Sequence, residues 1–285
     1  MLLTKKIAEE QPFSPSIMCH VTLDLNKFTS IEDAAAEVLA KNFATIMLDG
    51  LVNISANAAE KLGKHKQWLF LRGLKSLSLG VAQGLGKHEG SVWLNGVEHL
   101  SDQEAKALSG IRCCLFLDGL QELSPLAADG LGRQMGLSLN GINELSKETA
   151  EALGNYEGDL SLNGLTRIST EVATALARRK GWRLAIRGDE YAYTSTPTMQ
   201  EEPNCLSLDG LQELSGAQAR ALSKYSGSLS LNGIKHLTDS AAEGLAQNKS
   251  SLSLRGITKL SDTAAKAFEN YKGRLWLAPK SGQMT

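Results

Sequence analysis

Short runs in which leucine alternates with a polar residue recur along this chain at a fixed interval. GLSLNGINELSKETAEALGNYEG (136–158) leads directly into DLSLNGLTRISTEVATALARRKG (159–181). CLSLDGLQELSGAQARALSKYSG (205–227), SLSLNGIKHLTDSAAEGLAQNKS (228–250) and SLSLRGITKLSDTAAKAFENYKG (251–273) repeat the same order. The interval is 23 residues, with one shorter unit at 114–135; ten regular units begin at 22, 45, 68, 91, 114, 136, 159, 205, 228 and 251. A degenerate unit fills 182–204, and a truncated one, RLWLAPK, follows residue 273. A fixed period of this length is the mark of a repeat architecture.

Numbered as places 1 to 23, a unit reads x-L-x-L-(N/D/R)-G-(L/I)-x-x-L-S-x-x-x-A-x-(A/G)-L-x-x-x-x-G. Leu at places 2 and 4 predicts a short strand with one buried face. Gly at place 6, after Asn, Asp or Arg, predicts a tight bend with positive φ. Ser at place 11 (Thr238 and Glu32 in two units) is an N-cap, since its hydroxyl accepts an early helical N–H. Glu104 completes a capping box with Ser101, and Pro125 takes the first helical position after Ser124. A helix of about two turns follows, with Ala at place 15 and Leu or Phe268 at place 18 sharing one face. A small residue at place 17 eases the approach of stacked helices, and Gly at place 23 is read as a C-terminal cap.

A single unit buries too little to order itself, so neighbours must share a core and a backbone ladder. Strand, turn, short helix and next parallel strand give an α/β right-handed coil, with a concave sheet and convex helices. About eleven strands at roughly 4.8 Å each make an arc on the order of 50 Å long. Residues 1–20 are expected to cap the N-terminal end, 21–278 to form the solenoid, and 279–285 to be a tail.

The pattern LxLxGLxxLSxxxAxxL, which covers residues 21–278, resembles that of bacterial leucine-rich-repeat proteins. It also resembles a bacterial subclass with an apolar–Ala–apolar series on the convex side. It departs from the common LxxLxLxxN signature, because place 7 is Leu, Ile or Val and no buried Asn ladder is expected; the Asn or Asp at place 5 is not read as one. The resemblance implies a binding module that holds partners, mostly proteins, on the concave sheet.

Residues that recur in every unit are explained by folding, so function is sought where the pattern breaks. Place 3 is a bland, solvated Ser in most later units but runs Met47, Phe70, Trp93, Phe116 in four consecutive early ones. At roughly 4.8 Å per step these make a row about 15 Å long, and Trp68 at place 1 adjoins it. Asp49, Arg72, Asn95 and Asp118 lie beside it at place 5. An aromatic centre with a charged rim is how interface hot spots are built. A second copy of the chain, a sugar stacked on the rings, or residues 1–20 folded back are the other occupants considered. The second break, 182–204, contains two prolines and is acidic; it is either a loop replacing one helix or a docking loop anchored by Asp189, Glu190, Tyr191 and Tyr193.

Composition narrows the function classes. Thirty basic against thirty-one acidic side chains give a net charge of −1, which argues against broad binding to nucleic acid or an anionic membrane. No apolar run reaches membrane-spanning length, and the start lacks a secretory signal. Cys19, Cys113, Cys114 and Cys205 show no CxxC and read as reduced thiols, consistent with a cytoplasmic setting or an injected effector. The N-x-S triplets at Asn53 and Asn248 are read as chance matches. His65 and His88 share place 21 without a third ligand, so no metal or cofactor is expected. No nucleophile elbow, Walker loop or HExxH is present. The expectation is a non-enzymatic scaffold for a protein or peptide partner.

Overall fold

The computed structural model describes residues 1–12, 21–132, 134–179 and 204–277, in two compact units, Met1–Ser138 and Leu139–Thr285. The first opens with β1 (Leu2–Leu3), α1 (Lys5–Glu9), β2 (Thr22–Asp24), β3 (Ser30–Ile31) and α2 (Asp33–Ala40). Strand and helix then alternate: β4 (Thr45–Met47), α3 (Ala56–Leu62), β5 (Leu69–Phe70), α4 (Leu79–Leu85), β6 (Val92–Trp93) and α5 (Asp102–Leu108). β7 (Cys114–Phe116), α6 (Pro125–Leu131) and β8 (Gly136–Ser138) complete it. The second unit holds α7 (Lys147–Leu153), β9 (Asp159–Ser161), α8 (Thr170–Ala177), β10 (Cys205–Ser207) and α9 (Gly216–Leu222). It ends with β11 (Ser228–Ser230), α10 (Asp239–Leu245), β12 (Leu252–Leu254), α11 (Asp262–Phe268) and β13 (Leu275–Leu277).

In the first unit β2, β4, β5, β6, β7 and β8 pair in chain order, all parallel, with Leu23, Ile46, Leu69, Val92, Leu115 and Leu137 opposite one another. β9 to β13 do the same in the second. Except on the final strand β13, where Leu277 is exposed, these place-2 residues and the place-4 leucines are buried, as are the helix residues Ala59, Ala82, Leu62 and Leu85 that face them. Each unit is thus the α/β leucine-rich-repeat-like solenoid expected from the sequence.

Nine of the N-caps at place 11 are made by a side chain. Ser55 Oγ, for example, accepts from the Ala58 N–H at 2.9 Å, whereas Glu32 makes no such bond. The Ser101–Glu104 capping box is present, and a second one, Ser215–Gln218, was not anticipated. Some caps are themselves held by the preceding repeat, as where Ser124 Oγ donates to Asp102 Oδ1 at 2.5 Å.

Three sequence expectations are corrected. The place-6 glycines are not at positive φ. Among the described glycines only Gly132 is (φ 71), at the end of the one regular repeat that is a residue short. Place 6 needs glycine because a Cβ on Gly50 would lie 2.0 Å from the Asn26 carbonyl oxygen, and one on Gly73 2.2 Å from that of Asp49. Nor does Gly at place 23 cap a helix. The repeat helices end at place 18 or 19, and a Cβ on Gly90 would meet the Gln67 carbonyl oxygen at 2.4 Å.

The third correction concerns places 3 and 5. Of the later place-3 serines, Ser161, Ser207 and Ser230 are buried and Ser253 half-buried, and with the place-5 side chains they form a ladder from repeat to repeat. Asn163 Oδ1 accepts both the Ser207 hydroxyl and the Asp209 N–H at 2.8 Å. Asn140, Asp209 and Asn232 hold the next repeat in the same way. A buried hydroxyl without such a partner would be costly, and the ladder removes that cost.

The strands that flank the degenerate repeat are neighbours in the sheet. Leu160 of β9 pairs directly with Leu206 of β10, and the chain reaches β10 through Asn204, the only described non-glycine residue at positive φ (63°). Asn tolerates that conformation better than most residues.

A second line of bonds follows place 21. His88 Nε2 meets the Gln67 carbonyl oxygen at 2.8 Å, Gln134 Nε2 donates to Leu108 O at 3.1 Å, and Asn248 Nδ2 donates to Tyr225 O at 3.0 Å. Tyr225 and Tyr271 hydroxyls donate to Asn204 O and Ser250 O. Arg179 is fully buried, donates to the Tyr156 and Gly158 carbonyls, and lies over the Tyr156 and Tyr225 rings. These side chains satisfy carbonyls that the turn between helix and next strand leaves open.

Candidate recognition face

Met47, Phe70, Trp93 and Phe116 end β4 to β7, and strand register sets each opposite the next. The rings close face to face. Phe70 and Trp93 have centroids 4.1 Å apart with planes at 17°, and Trp93 and Phe116 are 4.4 Å apart at 6°. Trp68 leans on Trp93 at 5.5 Å and 57°. The geometry follows from the strand spacing, which brings flat side chains on neighbouring parallel strands into stacking range.

Stacking changes how much of the row meets solvent. Met47, Trp68, Phe70 and Trp93 are half-buried. Phe116, expected on an open surface, is only 5% exposed and forms an apolar cluster with Cys113 and Cys114, against which Trp93 packs. Trp93 has a ring on either side, so the stack presents edges rather than open faces.

The rim is tied to the backbone. Asp49 Oδ1 accepts the Arg72 N–H at 2.9 Å, and its Oδ2 accepts Arg72 Nε at 2.9 Å and Nη2 at 2.5 Å. This bonding raises the guanidinium pKa above its ordinary value. Arg72 also lies 5.3 Å from the Phe70 ring centroid, yet its side chain stays 46% exposed. Asn95 Nδ2 donates to Asp118 Oδ2 at 2.6 Å, while Asp118 Oδ1 accepts the Ser138 hydroxyl at 2.5 Å. The rim residues therefore bond in the same place-5 pattern as those of the second unit. Where place 3 is aromatic, the ladder loses its hydroxyl and gains a ring.

Of the N-terminal segment, residues 1–12 dock at the first repeat. β1 pairs with β3, Leu3 and Ala8 are buried, and Asn42 Nδ2 donates to the Pro12 carbonyl at 2.8 Å. Asp189, Glu190, Tyr191 and Tyr193 lie outside the described residues, as do residues 13–20.

His65 and His88 are buried neighbours, with ring centroids 5.8 Å apart. Burial pushes His65 down to about 3, with His88 adding to the effect, and pushes His88 down to about 4. In the second unit, burial raises Asp159 to about 6 and Cys205 to about 12. Among the described residues no three His, Cys, Asp or Glu side chains converge as a metal site. No described helix is long and apolar enough to cross a membrane.

Sequence reading missed the thiols behind the row. Ser91 Oγ donates to Cys113 Sγ at 3.1 Å, and the Cys114 N–H donates to Ser91 Oγ at 3.4 Å. The available signal was Cys113 occupying place 23, where several other repeats carry Gly.

No protein-family model matches this sequence, and no curated protein matches it. Among solved structures, a chain of the Drosophila Toll–Spatzle complex is similar over 82% of this chain, with 13% identity and a TM-score of 0.46. This chain spans only 36% of that one. An internalin from Listeria monocytogenes is similar over 91% of this chain and 82% of its own, with 16% identity and a TM-score of 0.40.

Proposed function

We propose that the chain is a non-enzymatic recognition scaffold that binds a protein or peptide partner on the sheet face of its first unit, along Met47, Trp68, Phe70 and Trp93, with Phe116 buried behind them. The observation that supports this reading is the in-register ring stack. It is held rigid by its own contacts, so little side-chain entropy is lost when a partner covers it. Half-buried apolar edges beside a fixed guanidinium suit a packed protein interface. Among the described residues, hydroxyls such as those of Ser55 and Ser207 are committed to a cap and to the ladder.

A sugar is the weaker alternative. Sugar rings stack on aromatic faces, and both faces of Trp93 are taken by Phe70 and Phe116. The test is affinity capture with the intact chain and with a Phe70→Ser, Trp93→Ser double variant shown to be folded by circular dichroism. Loss of the captured protein supports the proposal. Unchanged capture overturns it, and so does glycan binding that depends on Trp93 with no protein captured. Self-association that sediments as a dimer and disappears in the variant assigns the row to a second copy instead.

A further inference from the structure

Each repeat extends a set of bonds to the next one, and at the last repeat that set faces solvent. The N–H groups of places 2 and 4 donate forward, as Leu229 and Leu231 do to Ser251 O and Ser253 O at 2.9 Å, and Leu252 to Arg274 O at 2.8 Å. Backbone groups alternate sides along a strand. Arg274 and Trp276 therefore face β12, and the N–H and C=O groups of Leu275 and Leu277 point outward from β13, the terminal strand of the sheet among the described residues. Place-12 carboxylates also reach forward: Asp33, Asp102 and Asp239 accept the hydroxyls of Ser55, Ser124 and Ser261. Asp262 holds that place in the last helix; it is exposed and makes no ion pair with a described residue. The apolar side chains mark the same opening. Leu277 is 40% exposed where Leu208, Leu231 and Leu254 are fully buried, and Ala265 is exposed where Ala219 and Ala242 are fully buried. The N-terminal end of the first unit differs, because α1 packs on α2 there.

We infer that this end of the second unit is a self-association surface, which takes a second copy of the chain through a twofold axis. The surface is self-complementary in both of its layers. In the sheet, Leu275-Trp276-Leu277 reads the same in either direction. Set antiparallel about Trp276, the outward groups of Leu275 exchange both N–H···O bonds with Leu277 of the copy, and those of Leu277 with its Leu275. The two indoles meet between them as the non-hydrogen-bonded pair, and the leucines close the core that Leu277 leaves open. In the helical layer, Asp262 in the first turn of α11 and Lys266 one turn later share an exposed stripe. The same axis runs α11 antiparallel to its copy, so each Asp262 faces a Lys266. A head-to-tail stack would instead meet the first repeat, where α1 already covers α2. Charge complementarity thus selects a second copy in the twofold arrangement. The inference does not rest on the aromatic row.

The experiment is sedimentation equilibrium of the full chain over a range of concentrations. A monomer–dimer equilibrium is expected. It is expected to persist in the Phe70→Ser, Trp93→Ser variant, which separates this surface from the row. Asp262→Lys and Lys266→Glu each set like charges opposite one another twice, and each is expected to weaken the dimer at least about tenfold. The double variant restores both pairs with reversed sign and is expected to return to within about threefold of the parent. Leu277→Pro removes an outward N–H while leaving the bonds to β12, and is expected to abolish the dimer. Amide exchange at Leu275 and Leu277 is expected to be slower in the dimer than in the dilute monomer. A chain that stays monomeric, a dimer lost in the row variant, single charge variants that dimerise like the parent, or a double variant no better than the singles overturns the inference. So does protection of these amides in the monomer, which would mean that the chain itself already pairs with β13.

Discussion

The Trp93 ring lies 4.4 Å from that of Phe116, with the two planes only 6° apart. On its other side Trp93 stacks on Phe70 at 4.1 Å. It is therefore a structural keystone as well as a candidate contact. Each stacked pair is worth about 0.5–1.5 kcal/mol beyond area burial. Trp93→Ala is expected to destabilise the first unit by about 2–4 kcal/mol, measured by denaturant unfolding. A loss under about 0.5 kcal/mol would mean that the rings do not stack in solution.

The glycines separate into two kinds. Gly50→Ala would place a methyl 2.0 Å from the Asn26 carbonyl oxygen, a backbone atom that cannot move without shifting the previous turn. A loss of about 3 kcal/mol or more is expected. Gly130→Ala, inside α6, would bring its Cβ no nearer than 3.2 Å to Lys106 N. The gain in helix propensity, about 1 kcal/mol, offsets that crowding, and the change is expected to be near neutral. Comparable melting temperatures for the two variants would contradict the assignment of place 6 to close approach.

The ladder makes an asymmetric prediction. Ser207→Ala removes one of two donors to Asn163 and is expected to cost about 1 kcal/mol. Asn163→Ala strands both the Ser207 hydroxyl and the Asp209 N–H, and is expected to cost about 2–4 kcal/mol. In the double variant the serine change should add less than it does alone, because its partner is already gone. Strict additivity would argue against a shared acceptor.

Acid should unfold the first unit through His65 and His88. Burial lowers both, to about 3 and about 4, so the folded state holds these rings neutral where the unfolded chain, near 6.5, already binds protons. Their contribution is complete above pH 6.5. It is lost as pH falls through 6.5 toward 4, with a slope of up to about 1.4 kcal/mol per pH unit for each ring. Gln and Asn occupy the same place in other repeats, at Gln134 and Asn42. A His65→Asn, His88→Gln variant is therefore expected to stay folded and to show a flatter acid limb. An unchanged limb would place the acid sensitivity elsewhere.

Much of this fold was legible because it repeats. Leu at places 2 and 4, the Ser caps and the small helix residues carry one identity and one task from repeat to repeat, so period alone exposes them. The place-21 line escaped for the opposite reason. Asn42, His88, Gln134, Arg179 and Tyr225 share a position and a geometric task but no side-chain chemistry. The ladder was misread because Asn163 and Ser207 lie 44 positions apart in sequence, and their bond becomes visible only when the strands are side by side. The aromatic row was legible as an anomaly. Its mutual coverage was not, since burial on a sheet face depends on ring orientation. Phe116 illustrates this: it is the member most fully hidden.

The direct pairing of β9 with β10 has a wider consequence. Cys205 and its partner Asp159 are 46 positions apart, twice the ordinary interval, yet their rungs touch as any two neighbours do. A whole period can thus be gained or lost at this joint without altering which rungs meet. Length variation among descendants of such a chain should be tolerated there, and a foreign domain spliced into the joint would find its two attachment points already side by side.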